Sequence, residues 1–125
     1  MSQVSIPNVK IAVIDDDLLA RDFIVTVLMY CVNRDVLSFD NGLAVWQYME
    51  DHGSLDIIIS GIDVSGLSGF ELLSKFKKKY PGKKCLLMSA DPAHEPSARN
   101  LGADAFLAKP VSVNDLFKVV ETFVV

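Results

Sequence analysis

Five short apolar runs, each followed by a stretch with helical spacing, recur along the 125 residues, and this alternation restricts the chain more than any other feature. The runs are residues 9–15 (VKIAVID), 35–39 (DVLSF), 56–60 (DIIIS), 84–89 (KCLLMS) and 104–108 (DAFLA). The third is apolar without alternation, the pattern of a strand covered on both faces in a parallel sheet. Strand and helix in strict alternation with short connections imply a doubly wound α/β fold, a five-stranded parallel sheet with right-handed crossovers and helices on both sides. No repeat, low-complexity segment or linker interrupts the pattern, so residues 1–125 read as one domain with 1–8 as an N-terminal tail. In such sheets the functional groups gather beyond the carboxyl ends of the strands, near the switch in strand order.

The helical stretches carry their own signals. A first helix is expected from 18 to about 31, capped by Asp17 and burying Ala20, Phe23, Ile24, Val27, Leu28 and Cys31 at i, i+3, i+4 spacing. A second spans 43–50 with Val45, Trp46 and Met49, and a third spans 70–80 with Leu72, Leu73 and Phe76 until Pro81-Gly82 stops it. The stretch 92–101 is a poor helix because Pro96 removes a donor inside it, and it should be short, late-starting or mobile. Ser112 should cap the last helix with Asp115 reaching back, Val113, Leu116, Phe117, Val120 and Val124 facing inward. The first helix has further apolar residues at Leu18, Leu19, Val25, Met29 and Tyr30, and the last has Val119 and Phe123. If they form a contiguous exposed patch, they mark a docking surface.

Half of the residues are hydrophobic and 22% are charged, so a single core of this size needs neither disulfide nor metal. Cys31 and Cys85 lie in apolar contexts without a CxxC partner and are expected buried and reduced. A net charge of −4 and a pI near 5.0 argue against a nucleic-acid-binding surface. No window reaches the ~18 apolar residues of a membrane span, and the first ten residues do not form a signal peptide. The expected setting is cytoplasmic.

The strand ends carry the chemistry. The first ends in Asp15-Asp16-Asp17, the third in Gly61, the fourth in Ser89-Ala90 and the fifth in Lys109-Pro110. In placement and residue type this set resembles the receiver domain of bacterial response regulators, the CheY-like family on a flavodoxin-like sheet. That family has an acidic pair after strand 1, a phosphoryl-accepting aspartate after strand 3, a Ser/Thr after strand 4 and Lys-Pro after strand 5. Gly66 to Leu73 (GLSGFELL) and Leu101 to Pro110 (LGADAFLAKP) add to the likeness, which covers essentially the whole chain. The resemblance implies a Mg²⁺ held by Asp15 and Asp16, charge neutralisation by Lys109, a phosphoryl contact from Ser89 and a switch aromatic at Phe106. It also implies protein partners of a two-component pathway, met through helix 1 or through the face of helix 4, strand 5 and helix 5. A homodimer on that second face is an open alternative.

One position departs from the pattern. The anchors at 56–59 and at Gly66, Gly69, Glu71, Leu72 and Leu73 put Gly61 where the family has its aspartate. Ser65 and Ser68 stand where proline and often aspartate occur. Glycine has no nucleophile, so phosphoryl transfer to position 61 is impossible. Asp15, Asp16 and Lys109 sum to −1 instead of −2, which should weaken Mg²⁺ binding and draw Lys109 into an ion pair with Asp15 or Asp16. The glycine either permits a backbone conformation closed to aspartate or has simply lost its side chain. Asp63 is the substitute acceptor to consider, but two extended residues displace it by roughly 6–7 Å, and positioning tolerates little error.

The remaining features have plain readings. Lys75, Lys77, Lys78, Lys79, Lys83 and Lys84 complement a helix C-terminus and should stay solvated. His52 and His94 are expected at the surface, without a second ligand at metal spacing. Gly61, Gly66 and Gly69 lack the Gly-Lys-Ser/Thr of a nucleotide cradle. The sequence therefore points to a non-enzymatic receiver-like signalling domain with a degenerate site, with no output domain expected after the last helix. Two rivals remain: a phosphoaccepting regulator using Asp63 or another carboxylate, and a flavodoxin-like cofactor binder, disfavoured because the acids after strand 1 repel phosphate.

Overall fold

The first, third, fourth and fifth strands each serve two cores at once, and this decides the architecture. The computed structural model describes residues 9–32 and 36–124, with the side chains of 31 and 32 excepted. Its elements are β1 (Ile11–Ile14), α1 (Leu18–Val32), β2 (Leu37–Phe39), α2 (Gly42–His52), β3 (Ile57–Gly61), α3 (Gly69–Lys79), β4 (Lys84–Ser89), a 3-10 turn (Pro92–His94), α4 (Glu95–Asn100), β5 (Ala105–Ala108) and α5 (Val113–Phe123). The strands pair in parallel in the order β2-β1-β3-β4-β5. Side chains alternate across a strand. Ile58, Cys85, Leu87 and Phe106 therefore join Val45, Met49, Leu72, Leu73, Phe76 and Ala98 of α2, α3 and α4. Ile57, Ile59, Leu86 and Met88 join Ile24 and Leu28 of α1 and Leu116 and Val120 of α5 on the other face. The uninterrupted apolar runs of β3 and β4 follow directly from this two-sided burial.

The helix starts are chemically specified. Asp17 Oδ1 accepts from Leu19 N at the start of α1, as expected of a cap. Asn41 caps α2, and Ser68 caps α3 in a full capping box with Glu71. Ser112 accepts from Asp115 N, but the return bond expected from the Asp115 side chain is absent, since α5 carries only the half-cap. Pro96 sits in the first turn of α4, where its missing N–H has no intrahelical partner to lose, so the segment forms a six-residue helix after a 3-10 turn. The expectation of a short, late helix holds.

Several side chains face otherwise than their spacing suggested. Phe23, Val113 and Phe117 are exposed rather than inward, while Val119 and Phe123 pack against the α1/α5 core. The expected burial of Ile24, Leu28, Leu116 and Val120 holds, but both helices are apolar on more than one arc, so spacing alone left the edges of the buried stripes undetermined. The lysines at the end of α3 are not simply solvated. Lys77 pairs with Asp104 at 2.7 Å, Lys83 with Asp56 at 2.8 Å, and Lys75 and Lys79 lie over the Trp46 ring. Cys85 is buried as expected, whereas the Cys31 side chain and the 1–8 tail lie outside the described residues.

Candidate functional site

The register of the sheet assembles the strand ends. Ile14 pairs with Ser60, Gly61 with Met88, and Ser89 with Ala108, so Asp15, Gly61, Ser89 and Lys109 emerge on one rim. Two backbone bonds tighten it: Asp15 N donates to Phe39 O at 3.1 Å, and Lys109 N to Ser89 O at 2.8 Å. The Lys109–Pro110 peptide bond is cis.

Asp15 is only 1% exposed, and both of its carboxylate oxygens are engaged. Oδ2 accepts from Lys109 Nζ at 2.7 Å, and Oδ1 accepts from Asp17 N at 3.0 Å. The direct pairing expected of Lys109 is present, and its partner is Asp15; Asp16 is exposed. Arg21 Nη1 donates to the Asp15 carbonyl at 2.6 Å and ties the start of α1 to the same residue. A buried carboxylate left unpaired would be costly, and a lysine reaching it from β5 meets that need.

Gly61 ends β3 in buried, extended backbone outside the left-handed region. Its conformation is open to any residue, so of the two readings of this glycine the backbone requirement is removed. A Cβ there would stand 3.3 Å from Asp15 Oδ2 and 3.5 Å from Val64 Cγ1, a tight fit against a movable carboxylate. Gly69 is different: a Cβ there would press into the Gly61 carbonyl and the Ile62 Cα, and Gly69 N donates to Ile62 O at 2.8 Å. Gly69 thus serves close packing of the start of α3 against the end of β3. Asp63 lies exposed in the loop.

Ser89 is buried, and its Oγ accepts from Asp91 N at 3.0 Å and lies 2.8 Å from Nδ1 of His94. His94 was expected as an ordinary surface histidine. Instead it is half-buried, bonded to Ser89 and set edge-on to Phe70 with ring centroids 5.8 Å apart. No spacing signal pointed to it, because the contact depends on the 3-10 turn folding the ring back over the strand end. His52 is exposed and stacks on Tyr48. Phe106 is buried within the core shared with Ala98 of α4. Among the described residues no group of three His, Cys, Asp or Glu side chains is placed to hold a metal ion.

The response regulator receiver domain family matches residues 11–121. The chain belongs to this family. That membership decides between the receiver and the flavodoxin-like cofactor binder on the same sheet order. A two-component response regulator-like protein of rice (Oryza sativa subsp. indica), PRR37, is 30% identical over 114 residues, covering 87% of this chain and 15% of its own length. The DNA-binding transcriptional regulator NtrC of Azospirillum brasilense is 29% identical over 113 residues, covering 89% of this chain and 23% of its own. The chain therefore spans less than a quarter of each of these relatives. In structure, the receiver domain of NtrX from Brucella abortus superposes with a TM-score of 0.83 at 24% identity, covering 92% of this chain and 98% of that one.

Proposed function

We propose that this receiver domain does not accept a phosphoryl group at the usual strand-end position and works by protein–protein contact within a two-component pathway. The observation that carries this reading is Gly61 at the end of β3, beside an Asp15 carboxylate already neutralised by Lys109 at 2.7 Å. A divalent cation fits this donor set poorly. Both Asp15 oxygens are spent, Asp16 is exposed, and position 61 supplies no oxygen from a side chain. Lys109 thus provides the counter-charge that a metal would otherwise supply.

In this reading the domain is not an enzyme, resides in the cytoplasm and has no nucleic-acid partner. Among the described residues no helix is long and apolar enough to cross a membrane. The outward side of α1 is the favoured contact surface, with Leu19 79% and Tyr30 90% exposed beside Leu18, Phe23 and Met29. The face of α4, β5 and α5 offers a second, through Leu101, Val113 and Phe117, and a homodimer there is the alternative occupant.

Incubation with acetyl phosphate and Mg²⁺, followed by intact-mass measurement, tests the reading. The expected result is no stoichiometric phosphorylation of the natural chain and partial phosphorylation of Gly61→Asp, whose new carboxylate would stand beside Asp15 and Lys109. An aspartyl phosphate on the natural chain, at Asp63 or elsewhere, would replace this reading with that of a phosphoaccepting regulator.

A further inference from the structure

We propose that His94 is a positioning residue that locks Ser89, and with it the segment from the end of β4 to the start of α4, in one arrangement without any phosphoryl group. The inference rests on the reading that Gly61 leaves the rim without a phosphoryl ligand, and it names what occupies Ser89 instead.

A serine hydroxyl has one proton to donate and two lone pairs. Asp91 N–H takes one lone pair of Ser89 Oγ at 3.0 Å. The proton then has one acceptor within reach among the described residues, Nδ1 of His94 at 2.8 Å. Ser89 is only 4% exposed, so water is a poor substitute and an unplaced proton would be costly. This assignment requires Nδ1 to act as acceptor, which places the ring proton on Nε2.

The ring is itself held in place. Phe70 of α3 meets it edge-to-face at an interplanar angle of 89°. His94 N donates to Asp91 O at 3.1 Å, and Ala93 N donates to Asp91 Oδ1 at 2.9 Å. Ser89, Asp91 and His94 thus form a closed ring of hydrogen bonds within six residues, braced by α3 from outside. A phosphoryl oxygen would need the hydroxyl proton that His94 already takes. Because α4 begins at Glu95, the next residue, the same contact sets where that helix starts and how Ala98 enters the core shared with Phe106.

The test uses the unmodified chain and three variants, Ser89→Ala, His94→Ala and His94→Asn. In the natural protein, ¹⁵N spectra of His94 should show the Nε2–H tautomer, and Ser89→Ala should shift it toward a mixture. Amide hydrogen exchange at Asp91 should speed up about tenfold in His94→Ala, the scale of one lost hydrogen bond. His94→Asn, whose side-chain carbonyl offers an acceptor near the Nδ1 position, should restore most of the protection. A proton resident on Nδ1 in the natural protein would overturn the proposal, as would Asp91 exchange within twofold of the natural rate in His94→Ala. If His94→Ala fails to fold, the natural imidazole spectrum and Ser89→Ala decide. None of these readouts needs phosphate, so a phosphorylated natural chain would show the domain to be a phosphoacceptor without touching this measurement.

Discussion

Asp15 and Lys109 carry the largest single electrostatic contact of the rim, a carboxylate almost wholly removed from water facing a lysine whose side chain is partly exposed. Removing only the cation leaves a buried charge uncompensated, so Lys109→Met should lower the unfolding free energy by about 3 kcal/mol. Denaturant titration would measure it. Combining that change with Asp15→Asn, which keeps an acceptor for Asp17 N–H, should recover part of the loss. Equal losses in Lys109→Met and the double variant would mean that the loss does not come from an uncompensated Asp15 charge. The pair followed from the resemblance to the receiver family, because a site with one acid fewer leaves its lysine without a phosphoryl or metal to balance, but the choice of Asp15 over Asp16 did not. Asp16 follows the strand and points to solvent, and only the register of β5 against β4 determines which carboxylate Lys109 reaches.

Cys85 is a buried titratable group without an ion-pair partner of its own among the described residues. Burial, assisted by the nearby Asp104 carboxylate, pushes its thiol from the ordinary 9.0 up to about 12. Below pH 9 the thiol is neutral in both folded and unfolded chains, and its contribution to stability is intact. Between pH 9 and 12 the unfolded chain releases the proton first, so stability falls by up to about 1.4 kcal/mol per pH unit from this group. Cys85→Ala should therefore show a shallower alkaline decline than the natural protein in parallel urea titrations. Identical slopes would show that other groups govern that range.

Helices in this chain are specified at their ends more securely than around their circumference. The capping box of Ser68 and Glu71 satisfies two backbone donors at the start of α3, and Ser68→Ala should cost about 1 kcal/mol, seen as a lower denaturation midpoint. A fall well under 0.5 kcal/mol would show that tertiary packing alone fixes that helix start. The bounds of β4 and the beginning of α1 agree with their sequence signals, as does the shortness of α4, because each depends on local chemistry: an unbroken apolar run, an acidic cap, a proline in the first turn. Spacing located the buried stripes of α1 and α5 at Ile24, Leu28, Leu116 and Val120, but not where those stripes end. Phe23 and Phe117 lie on apolar arcs broad enough to bury either edge, and packing on the sheet left both exposed.

The whole molecule presents α1 as its conspicuous apolar exterior. Replacing Leu19 and Tyr30 by glutamate should leave stability within about 0.5 kcal/mol, since neither side chain is buried. The same change should weaken retention on a hydrophobic-interaction column. A large loss of stability would show instead that these residues pack within the domain. At this scale the division between sequence and tertiary structure becomes clear. The alternation of apolar runs with amphipathic stretches was sufficient to determine the parallel sheet, its two covered faces and the collection of Asp15, Gly61, Ser89 and Lys109 at one rim, because side-chain periodicity and right-handed crossovers leave few other solutions. The pairing of Lys109 with Asp15, the ordinary backbone at Gly61 and the closure of His94 over Ser89 were decided only in three dimensions. Each depends on distances between segments far apart in the chain or on the turn of a loop, and a linear pattern of residue types does not encode those distances.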